Sequence, residues 1–396
     1  MMADKRQRTA TRVRAPSPAH RRQAVLGIDA SRALTDAPTG TEYYSRALTD
    51  ALLRAESDFC FRLYTRAAPP ANFFPPTDNY EMRAIPFPRL WTHLRLAYEM
   101  LTRPPDALFI PAHVLPPIHP RNSIVTVHDL GYKFFPDAHP FFQRAYLDFS
   151  TRWNVKRARV VVADSIATRD ALVKFYNAPR EKIRVVYPAY NAAIFKPGDG
   201  ADIERVRAKY ALPKKYILSV GTVQPRKNYA RLIEAFAQLP GELGLAIVGK
   251  KGWLSDSIFA RAQTLNLQAR VQFLDYAPLQ DLPPLYAGAQ GAVFPSLYEG
   301  FGFPVLEAQA CGAALLCANT SALPETAGDG AEFFDPLNAA DIARALQNVL
   351  GNPARRAELI ARGRENIKRF SWERAAREIL EIVSALSFPL NARAVK

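Results

Sequence analysis

In Gly291-Ala-Val-Phe-Pro-Ser-Leu-Tyr-Glu-Gly-Phe-Gly-Phe-Pro-Val-Leu-Glu307, an apolar, strand-like segment leads through a turn with two glycines into a helix-like segment. Pro304 suits the first turn of that helix, because its missing N–H would have no partner there in any case. Strands that alternate with helices form parallel sheets covered on both faces. This segment therefore predicts an α/β fold, in which ligands bind beyond the carboxyl ends of the strands.

The same turn predicts the chemistry of the ligand. Gly300 and Gly302 let the backbone approach a ligand closely, since they carry no Cβ atom, and free N–H groups at the start of a helix bind anionic oxygens. Glu299 before the helix and Glu307 inside it supply carboxylates, which accept strong hydrogen bonds from sugar hydroxyls. A molecule that carries both phosphate and hydroxyl-rich rings is a nucleotide sugar.

Strand-like and helix-like segments alternate along two separate parts of the chain. In the first part the predicted strands span residues 24–30, 59–64, 107–111, 123–129 and 159–165, and the predicted helices span residues 42–54, 141–157 and 166–176. In the second part the predicted strands span residues 216–221, 243–249, 271–274, 291–294 and 314–317, and the predicted helices 229–239 and 256–265. Residues 188–213, which are polar and rich in Pro and Gly, predict the boundary between the two parts, and a long helical segment covers residues 336–387. We expect the binding site in the cleft between two sheet domains.

The composition predicts a globular, cytoplasmic protein of two or three domains. The chain has 396 residues, 48% of them apolar, and no run near the roughly 20 apolar residues of a membrane-spanning helix. We expect no secretory signal, because residues 1–23 are basic and polar, and we predict that this tail is disordered. The three cysteines are too few and too irregularly spaced for a disulfide framework or a zinc site. The net charge of +15 fits an anionic lipid surface, nucleic acid or phosphorylated substrates, and the motifs favour the last.

A second candidate phosphate site is the turn Gly221-Thr-Val-Gln-Pro-Arg-Lys-Asn228, which follows a predicted strand and precedes a predicted helix. It contains neither Gly-x-Gly-x-x-Gly nor Gly-Lys-Ser/Thr. Arg226 supplies a planar fork and Lys227 a compact charge, and both suit a diphosphate. The alternative is a solvated basic turn that is capped by Asn228.

Together these motifs resemble the retaining GT-B glycosyltransferases of family four, also called group 1. Besides the two turns, the resemblance is carried by Val248-Gly-Lys-Lys-Gly-Trp253, Leu323-Pro-Glu-Thr-Ala-Gly328, Asp335-Pro, Gly27-Ile-Asp29, Pro38-Thr-Gly-Thr-Glu-Tyr-Tyr44 and Val127-His-Asp-Leu130. The chain is most similar to mannosyltransferase-like members that build surface polysaccharides.

The resemblance implies two Rossmann-like parallel-sheet domains that face each other across a deep cleft. Residues 24–195 would form the acceptor-side domain and residues 214–375 the nucleotide-sugar-binding domain, with a C-terminal helix over 376–396 packing back on the first domain. The implied reaction moves a hexose from a nucleotide-diphosphate donor, of the GDP-mannose or UDP-hexose type, to a glycan or lipid-linked acceptor. The anomeric configuration of the sugar would be retained.

The resemblance also implies roles for individual residues. Lys227 and Arg226 would hold the donor diphosphate, Glu299 the hydroxyls of the donor sugar and Glu307 those of the ribose, while His128 would face the sugar. The remaining donor-binding positions are Gly40, Thr222, Gly300, Phe301, Gly302 and Phe303. Thr222 stands where many members have Arg, which leaves more of the diphosphate charge to Arg226 and Lys227.

We expect transfer without a metal ion or another cofactor. Paired acids are the usual way to bring a divalent ion to a diphosphate, and no Asp-x-Asp occurs in the chain. Lys, Arg and a helix N-terminus would stabilise the leaving diphosphate instead. Two alternatives stay open: a phosphorylase or hydrolase on the same architecture, and a basic nucleic-acid-binding module, although the basic residues outside the tail are dispersed.

Some residues allow two interpretations. His128 could belong to a capped turn at a strand end, and Glu325 could cap a helix or contact the donor. An aromatic and basic group could be ordinary core, or a surface that rests on lipid headgroups at the inner face of the plasma membrane. Its members are Trp91, Tyr98, Phe134, Phe135, Phe141 and Phe142, near Arg89, Arg95, Lys133 and Arg144.

Overall fold

The structure is a computed structural model, and it describes residues 23–35, 40–112, 114–138, 140–239 and 241–386. The tail predicted to be disordered lies outside the described residues except for its last position. The final ten residues of the predicted C-terminal helix also lie outside them.

Seven parallel strands form the first sheet. They are β1 (Val25–Asp29), β2 (Cys60–Thr65), β3 (Tyr80–Ala84), β4 (Ala107–Ile110), β5 (Ser123–Val127), β6 (Val160–Ala163) and β7 (Ile183–Val185), in the spatial order β3-β2-β1-β4-β5-β6-β7. The helices of this part are α1 (Gly40–Arg54), α2 (Ala97–Thr102), α3 (Gly131–Phe134), α4 (Phe141–Arg157) and α5 (Ile166–Tyr176), and a π-helical turn (Thr92–Leu96) runs directly into α2. All residues of β4 and β5 are buried, as expected of parallel strands that are covered by helices on both faces.

Six parallel strands form the second sheet. They are β8 (Tyr216–Val220), β9 (Gly244–Val248), β10 (Val271–Phe273), β11 (Gly291–Phe294), β12 (Leu315–Ala318) and β13 (Ala331–Phe334), in the spatial order β10-β9-β8-β11-β12-β13. Its helices are α6 (Gly200–Lys209), α7 (Tyr229–Phe236), α8 (Asp256–Thr264), α9 (Leu282–Gly288), α10 (Phe303–Ala310), α11 (Leu323–Ala327), α12 (Ala339–Gly351), α13 (Pro353–Asn366) and α14 (Trp372–Ser384). Short 3-10 turns cover Pro136–Ala138, Arg180–Lys182, Pro225–Lys227, Leu279–Asp281 and Ile367–Arg369.

The strand order reverses beside the first strand of each sheet. β1 lies between β2 and β4, and β8 lies between β9 and β11. At such a reversal the connections leave on opposite faces of the sheet, so the carboxyl ends of the strands open a crevice in which ligands bind. The prediction of two Rossmann-like parallel-sheet domains is confirmed.

The sequence patterns missed β3, β7 and β13, which are all edge strands of their sheets. An edge strand is less covered than a central one, and β3 accordingly has no buried residue and a mixed polar sequence, Tyr-Glu-Met-Arg-Ala. The patterns also missed α6, which lies inside the segment predicted as a polar boundary. Its N-cap is Asp199, whose side chain accepts a hydrogen bond from Asp202 N.

The long helical segment predicted after the second sheet is divided into α12, α13 and α14. Ser371 caps α14, because its side chain accepts a hydrogen bond from Arg374 N. The apolar face of α14 returns to the first domain, where Ile379 and Val383 share a buried core with Leu48 and Leu52 of α1.

Candidate active site

Three charged side chains meet at the carboxyl ends of β8 and β11. Arg226 Nη1 lies 3.0 Å from Glu299 Oε2, and Lys227 Nζ lies 2.5 Å from Glu299 Oε1. The two cations follow β8 and the carboxylate follows β11, and these strands are neighbours in the sheet. We call Arg226, Lys227 and Glu299 the ion cluster. The two cations and one carboxylate give it a net charge of +1, and the charge of Asp129 nearby also acts on Arg226 and raises its pKa.

The local backbone holds the ion cluster in place. Asn228 ends the 3-10 turn in a left-handed conformation, and its side-chain amide donates to Pro295 O (3.1 Å) and Pro336 O (2.7 Å). These bonds tie the cationic turn to the loops that follow β11 and β13. Arg226 Nη1 also donates to Tyr298 O at 2.6 Å, directly before Glu299 in the chain.

Glu299 is ionised at all physiological pH values. Burial alone would raise the pKa of its carboxyl, but the charges of Lys227 and Arg226 outweigh burial and lower the pKa to about 2. Since both cations are largely shielded from solvent, the attraction is little screened. An ionised carboxylate accepts hydrogen bonds only, which suits the hydroxyls of a sugar.

Glu307 lies one turn inside α10 and is partly buried. Burial raises the pKa of its carboxyl to about 7, although a hydrogen bond from Tyr286 and the charge of Lys227 act in the opposite direction. Tyr286 Oη donates to Glu307 Oε2 at 3.3 Å. The two glutamates therefore have very different proton affinities, since one is paired with cations and the other is not.

His128 follows β5 in the first domain and is held by Asp164, which sequence analysis missed. His128 Nδ1 lies 2.6 Å from Asp164 Oδ2, and the ring packs against the edge of Tyr44. Burial disfavours the imidazolium, but the charge of Asp164 outweighs it and raises the pKa of His128. His128 Nε2 is buried and has no hydrogen-bond partner among the described residues. Asp164 ends the run Val160-Val-Val-Ala-Asp164, so the rule that ligands bind at strand carboxyl ends could have indicated it.

The turn between β11 and α10 touches the first domain. A Cβ atom at Gly300 would lie 2.2 Å from His128 O, so only glycine fits there. Gly302 is the N-cap of α10 with φ +102°, a conformation that favours glycine. The side chain of Phe301 is buried in a small apolar cluster, which leaves only its backbone for a ligand. Phe303 contacts the position of Gly40 across the cleft, where a Cβ would lie 3.5 Å from its ring.

Further hydrogen bonds join the two halves beside the site. Glu325 accepts from Ile166 N (3.0 Å) and Ala167 N (3.1 Å), so it caps α5, a helix of the other domain. Thr168 Oγ1 lies 3.2 Å from both His128 O and Gly300 O. These contacts bring His128 of the first domain to the turn that carries Glu299.

Thr222 directly follows Gly221, where a Cβ would lie 3.2 Å from Lys227 Nζ. It is exposed, and its methyl group faces Gly252, where a Cβ would lie 2.8 Å away. In the same loop region Lys251 pairs with Asp256, and Lys250 lies over the ring of Tyr276. The structure thus brings Arg226, Lys227, Glu299, His128 and the α10 turn around one crevice.

Two features are absent from the described part of the chain. No group of three or more His, Cys, Asp or Glu side chains there could hold a metal ion. No helix in the same residues is long and apolar enough to cross a membrane.

Comparisons with known proteins agree over most of the chain. The family model for glycosyl transferases group 1 matches residues 202–366, and the model for glycosyltransferase family 4 matches residues 38–193. O-antigen chain mannosyltransferase B of Escherichia coli is 31% identical over 271 residues, which cover 67% of this chain and 71% of that protein.

Solved structures show the same fold at lower sequence identity. Sucrose-phosphate synthase from Thermosynechococcus elongatus superposes with a TM-score of 0.72 at 22% identity, covering 91% of this chain and 98% of that chain. Anabaena HepE, solved in complex with UDP and glucose, superposes with a TM-score of 0.70 at 18% identity, covering 92% of this chain and all of that one.

Proposed function

Because the chain belongs to the group 1 glycosyltransferases of family 4, which confirms the resemblance seen in its motifs, we propose a specific reaction for it. The protein is a GT-B hexosyltransferase. It moves a hexose, with mannose favoured by the O-antigen relative, from a nucleotide-diphosphate donor to a glycan or lipid-linked acceptor in surface polysaccharide synthesis. The observation that carries this proposal is the ion cluster, which lies at the crevice of the second sheet and includes Glu299, one residue before Gly300, whose backbone packs against His128 O.

The donor diphosphate binds at Lys227 and Arg226. Both side chains are held at the carboxyl end of β8, and the backbone amides at the start of α10 lie in the same crevice. Amides at a helix start and cations together favour phosphate oxygens. As the bond to the sugar breaks, negative charge builds on the diphosphate, and these groups stabilise it. This supports a reaction that needs no metal ion.

The donor sugar lies between Glu299 and His128. Glu299 accepts hydrogen bonds from sugar hydroxyls, and His128 donates from Nε2, the buried nitrogen that has no partner among the described residues. Asp164 fixes the other nitrogen of the ring and thereby orients Nε2. Glu307, without a cation of its own, accepts from the ribose hydroxyls.

Retention of configuration proceeds on one face of the sugar. A covalent intermediate needs a free carboxylate on the opposite face. Glu299 is bound to two cations, Asp164 to His128, and Asp129 Oδ1 accepts from Gly131 N at 2.8 Å. Since these carboxylates are engaged, a front-side displacement that is driven by diphosphate departure fits the site better.

The experiment has a binding arm and a turnover arm. Thermal shifts with UDP, GDP, ADP and CDP identify the base, because a ligand that binds only the folded state stabilises it by RT ln(1 + [L]/Kd). The matching nucleotide sugars are then offered with lipid-linked and free glycan acceptors. Proton NMR of the product reads the anomeric configuration. The proposal fails if no nucleotide diphosphate shifts the melting temperature, or if an inverted product forms.

A further inference from the structure

Exposed apolar side chains are concentrated on one part of the first domain. Of the seventeen large apolar side chains that are exposed among the described residues, eleven lie between residues 87 and 149. They are Phe87, Leu90, Leu94, Tyr98, Leu101, Ile118, Phe134, Phe141, Phe142, Tyr146 and Phe149. Single exposed apolar residues are normal, but a concentration of this kind marks a binding surface.

Two neighbouring helices carry most of these side chains on one face each. On the helix formed by the π-helical turn and α2, the exposed residues Leu94, Tyr98 and Leu101 follow one another at helical spacing, while Leu96 and Met100 are buried. The exposed residues of α4 also follow one another at helical spacing; they are Phe142, Tyr146 and Phe149. The side chain of Phe142 is 85% exposed. We call these two faces the α2–α4 surface.

The two faces belong to one surface, because the helices touch. His93 Nε2 lies 3.3 Å from Tyr146 Oη, and the two rings pack edge to face. Trp91, which the sequence suggested as part of this surface, is instead buried and donates its indole N–H to Ile85 O at 2.8 Å. The interpretation as a lipid-facing group was therefore wrong for Trp91.

The charge of the same surface is basic. The exposed stripe of α4 continues from Phe149 to Arg152 and Lys156. The only acid of α4, Asp148, is paired with Lys133 and Arg152. On the other helix, Glu99 is buried between Arg83 and Arg95. Neither helix thus presents an unpaired negative charge.

The basic end of α4 borders a shallow cavity of about 500 Å³. Its lining is Pro117, Ile118, His119, Arg121, Lys156 and Arg157, and none of these is acidic. A cavity with several cations suits a phosphate group. A helix with an aromatic stripe and a basic continuation lies in the plane of a membrane interface, with its apolar face in the acyl boundary.

We propose that the α2–α4 surface rests on a bilayer that contains anionic lipids. Aromatic and leucine side chains enter the boundary of the acyl chains, while Arg152, Lys156 and the basic cavity contact lipid phosphates. The charge pattern favours this partner, since anionic headgroups attract Lys and Arg that lie near the surface. This docking rests on the proposed function in one respect, namely that the acceptor is linked to a lipid.

The position of the surface suits such an acceptor. Phe134, seven residues before the start of α4, stacks on Tyr298 of the second domain at 4.5 Å between ring centroids. Phe134 belongs to α3, and α3 contacts the middle of α4, since Tyr132 Oη donates to Leu147 O at 3.3 Å and Lys133 Nζ lies 2.5 Å from Asp148 Oδ1. Through α3, α4 is therefore connected to the cleft. A membrane under this surface places lipid-linked sugars next to the mouth of the cleft.

The test is co-sedimentation of the full chain with vesicles. Vesicles of phosphatidylcholine alone are compared with anionic vesicles in which about 30 mol% of the lipid is phosphatidylglycerol. The wild type is expected to bind the anionic vesicles, and binding should weaken with salt. Phe142→Ser/Phe149→Ser and Arg152→Glu/Lys156→Glu should each lower the partition coefficient about tenfold or more.

A matched control separates this surface from general stickiness. Leu279→Ser/Leu337→Ser removes two exposed apolar side chains outside the α2–α4 surface and should bind vesicles like the wild type. The inference is overturned if Phe142→Ser/Phe149→Ser binds like the wild type, or if the control loses as much. A folded variant is recognised by the unchanged thermal shift with the nucleotide diphosphate. A wild type that binds nucleotide but no vesicle defeats the docking proposal alone, and vesicle binding without any nucleotide shift defeats the proposed function alone.

Discussion

Replacement of Lys227 by Met should abolish most of the turnover and leave the fold intact. Lys227 Nζ lies in the crevice, 2.5 Å from Glu299 Oε1, and only 12% of its side chain is exposed. Met keeps most of the aliphatic chain and removes the charge. The diphosphate is already anionic when the donor binds, and further negative charge builds on it as the bond to the sugar breaks. The loss should therefore raise KM and lower kcat, with the larger effect on kcat.

The magnitude follows from the geometry of the site. A unit charge about 4 Å from another contributes roughly 4 kcal/mol at the effective dielectric constant of a protein surface. Loss of one such donor to a developing anion typically slows turnover about 10²–10³-fold. Turnover by Lys227→Met should fall by this factor. The loss should be smaller than that of a variant lacking both cations, because Arg226 stays in place.

Stability provides a second readout of the same change. Lys227 and Arg226 hold the pKa of Glu299 at about 2 instead of the ordinary 4.5, which corresponds to about 3 kcal/mol at neutral pH. This stabilisation is present above pH 4.5 and is lost as the pH falls towards 2. Lys227→Met should lose roughly half of it, about 1–2 kcal/mol. The double variant Lys227→Met/Glu299→Gln should regain neither stability nor activity, because it leaves the largely buried Arg226 without its carboxylate partner.

The assay is initial-rate release of nucleotide diphosphate, together with thermal melts at pH 7 and pH 4. Lys251→Met is the matched control, because Lys251 is a largely exposed lysine paired with Asp256, and it should keep activity within about twofold. Near-normal kcat in a folded Lys227→Met variant would refute the assignment of the diphosphate to the ion cluster.

Three further changes test other parts of the site. Glu307 has a pKa of about 7, so the affinity of the protein for the nucleotide should fall as the pH drops from 8 to 6. This pH dependence should disappear in Glu307→Gln and with 2′-deoxynucleotides. A wild type whose affinity does not change over this pH range would contradict the ribose role. Since Asp164 raises the pKa of His128, Asp164→Asn should move the alkaline limb of the kcat profile to lower pH, and an unmoved limb would argue against an imidazolium donor. Gly300→Ala should lower turnover at least about 10²-fold while nucleotide binding persists, because the added Cβ would collide with His128 O. The control Gly200→Ala should keep full activity, because a Cβ there meets nothing within 4 Å. Equal activity of the two variants would show that the domains need not touch.

Sequence patterns predicted the central strands well and the sheet edges poorly. Four central strands are buried along nearly their whole length: β4, β5, β8 and β11. A strand that is buried on both faces has a continuous apolar run in the sequence, and this run identifies it. β7 has only three residues and β3 is half polar. Such strands are defined by hydrogen bonds to a neighbour, which local composition does not encode.

The ion cluster could be anticipated because it depends on one local rule. Arg226, Lys227 and Glu299 each lie in the loop that follows a strand, and strand carboxyl ends share one edge of a parallel sheet. That β8 and β11 are neighbours is a property of the strand order, which the spacing of residues 226 and 299 does not reveal. The rule therefore indicated a common edge, and the structure supplied the contact.

Glu325, Thr168 and Asp164 could not be assigned in the same way, since their partners lie in another element or in the other domain. The sequence left Glu325 as a helix cap or a contact for the donor; its carboxylate is indeed a cap, but of α5 across the cleft, which the sequence could not indicate. Thr168 is one turn into that same helix, and its hydroxyl lies between His128 O and Gly300 O. A single helix start is thus tied to the donor-side turn at Gly300 and to the strand end that carries His128. Separation of the two domains would break the bonds from Glu325 to α5 and from Thr168 to Gly300 O and would move His128 away from Glu299. Closure of the cleft and assembly of the proposed sugar site are therefore one event.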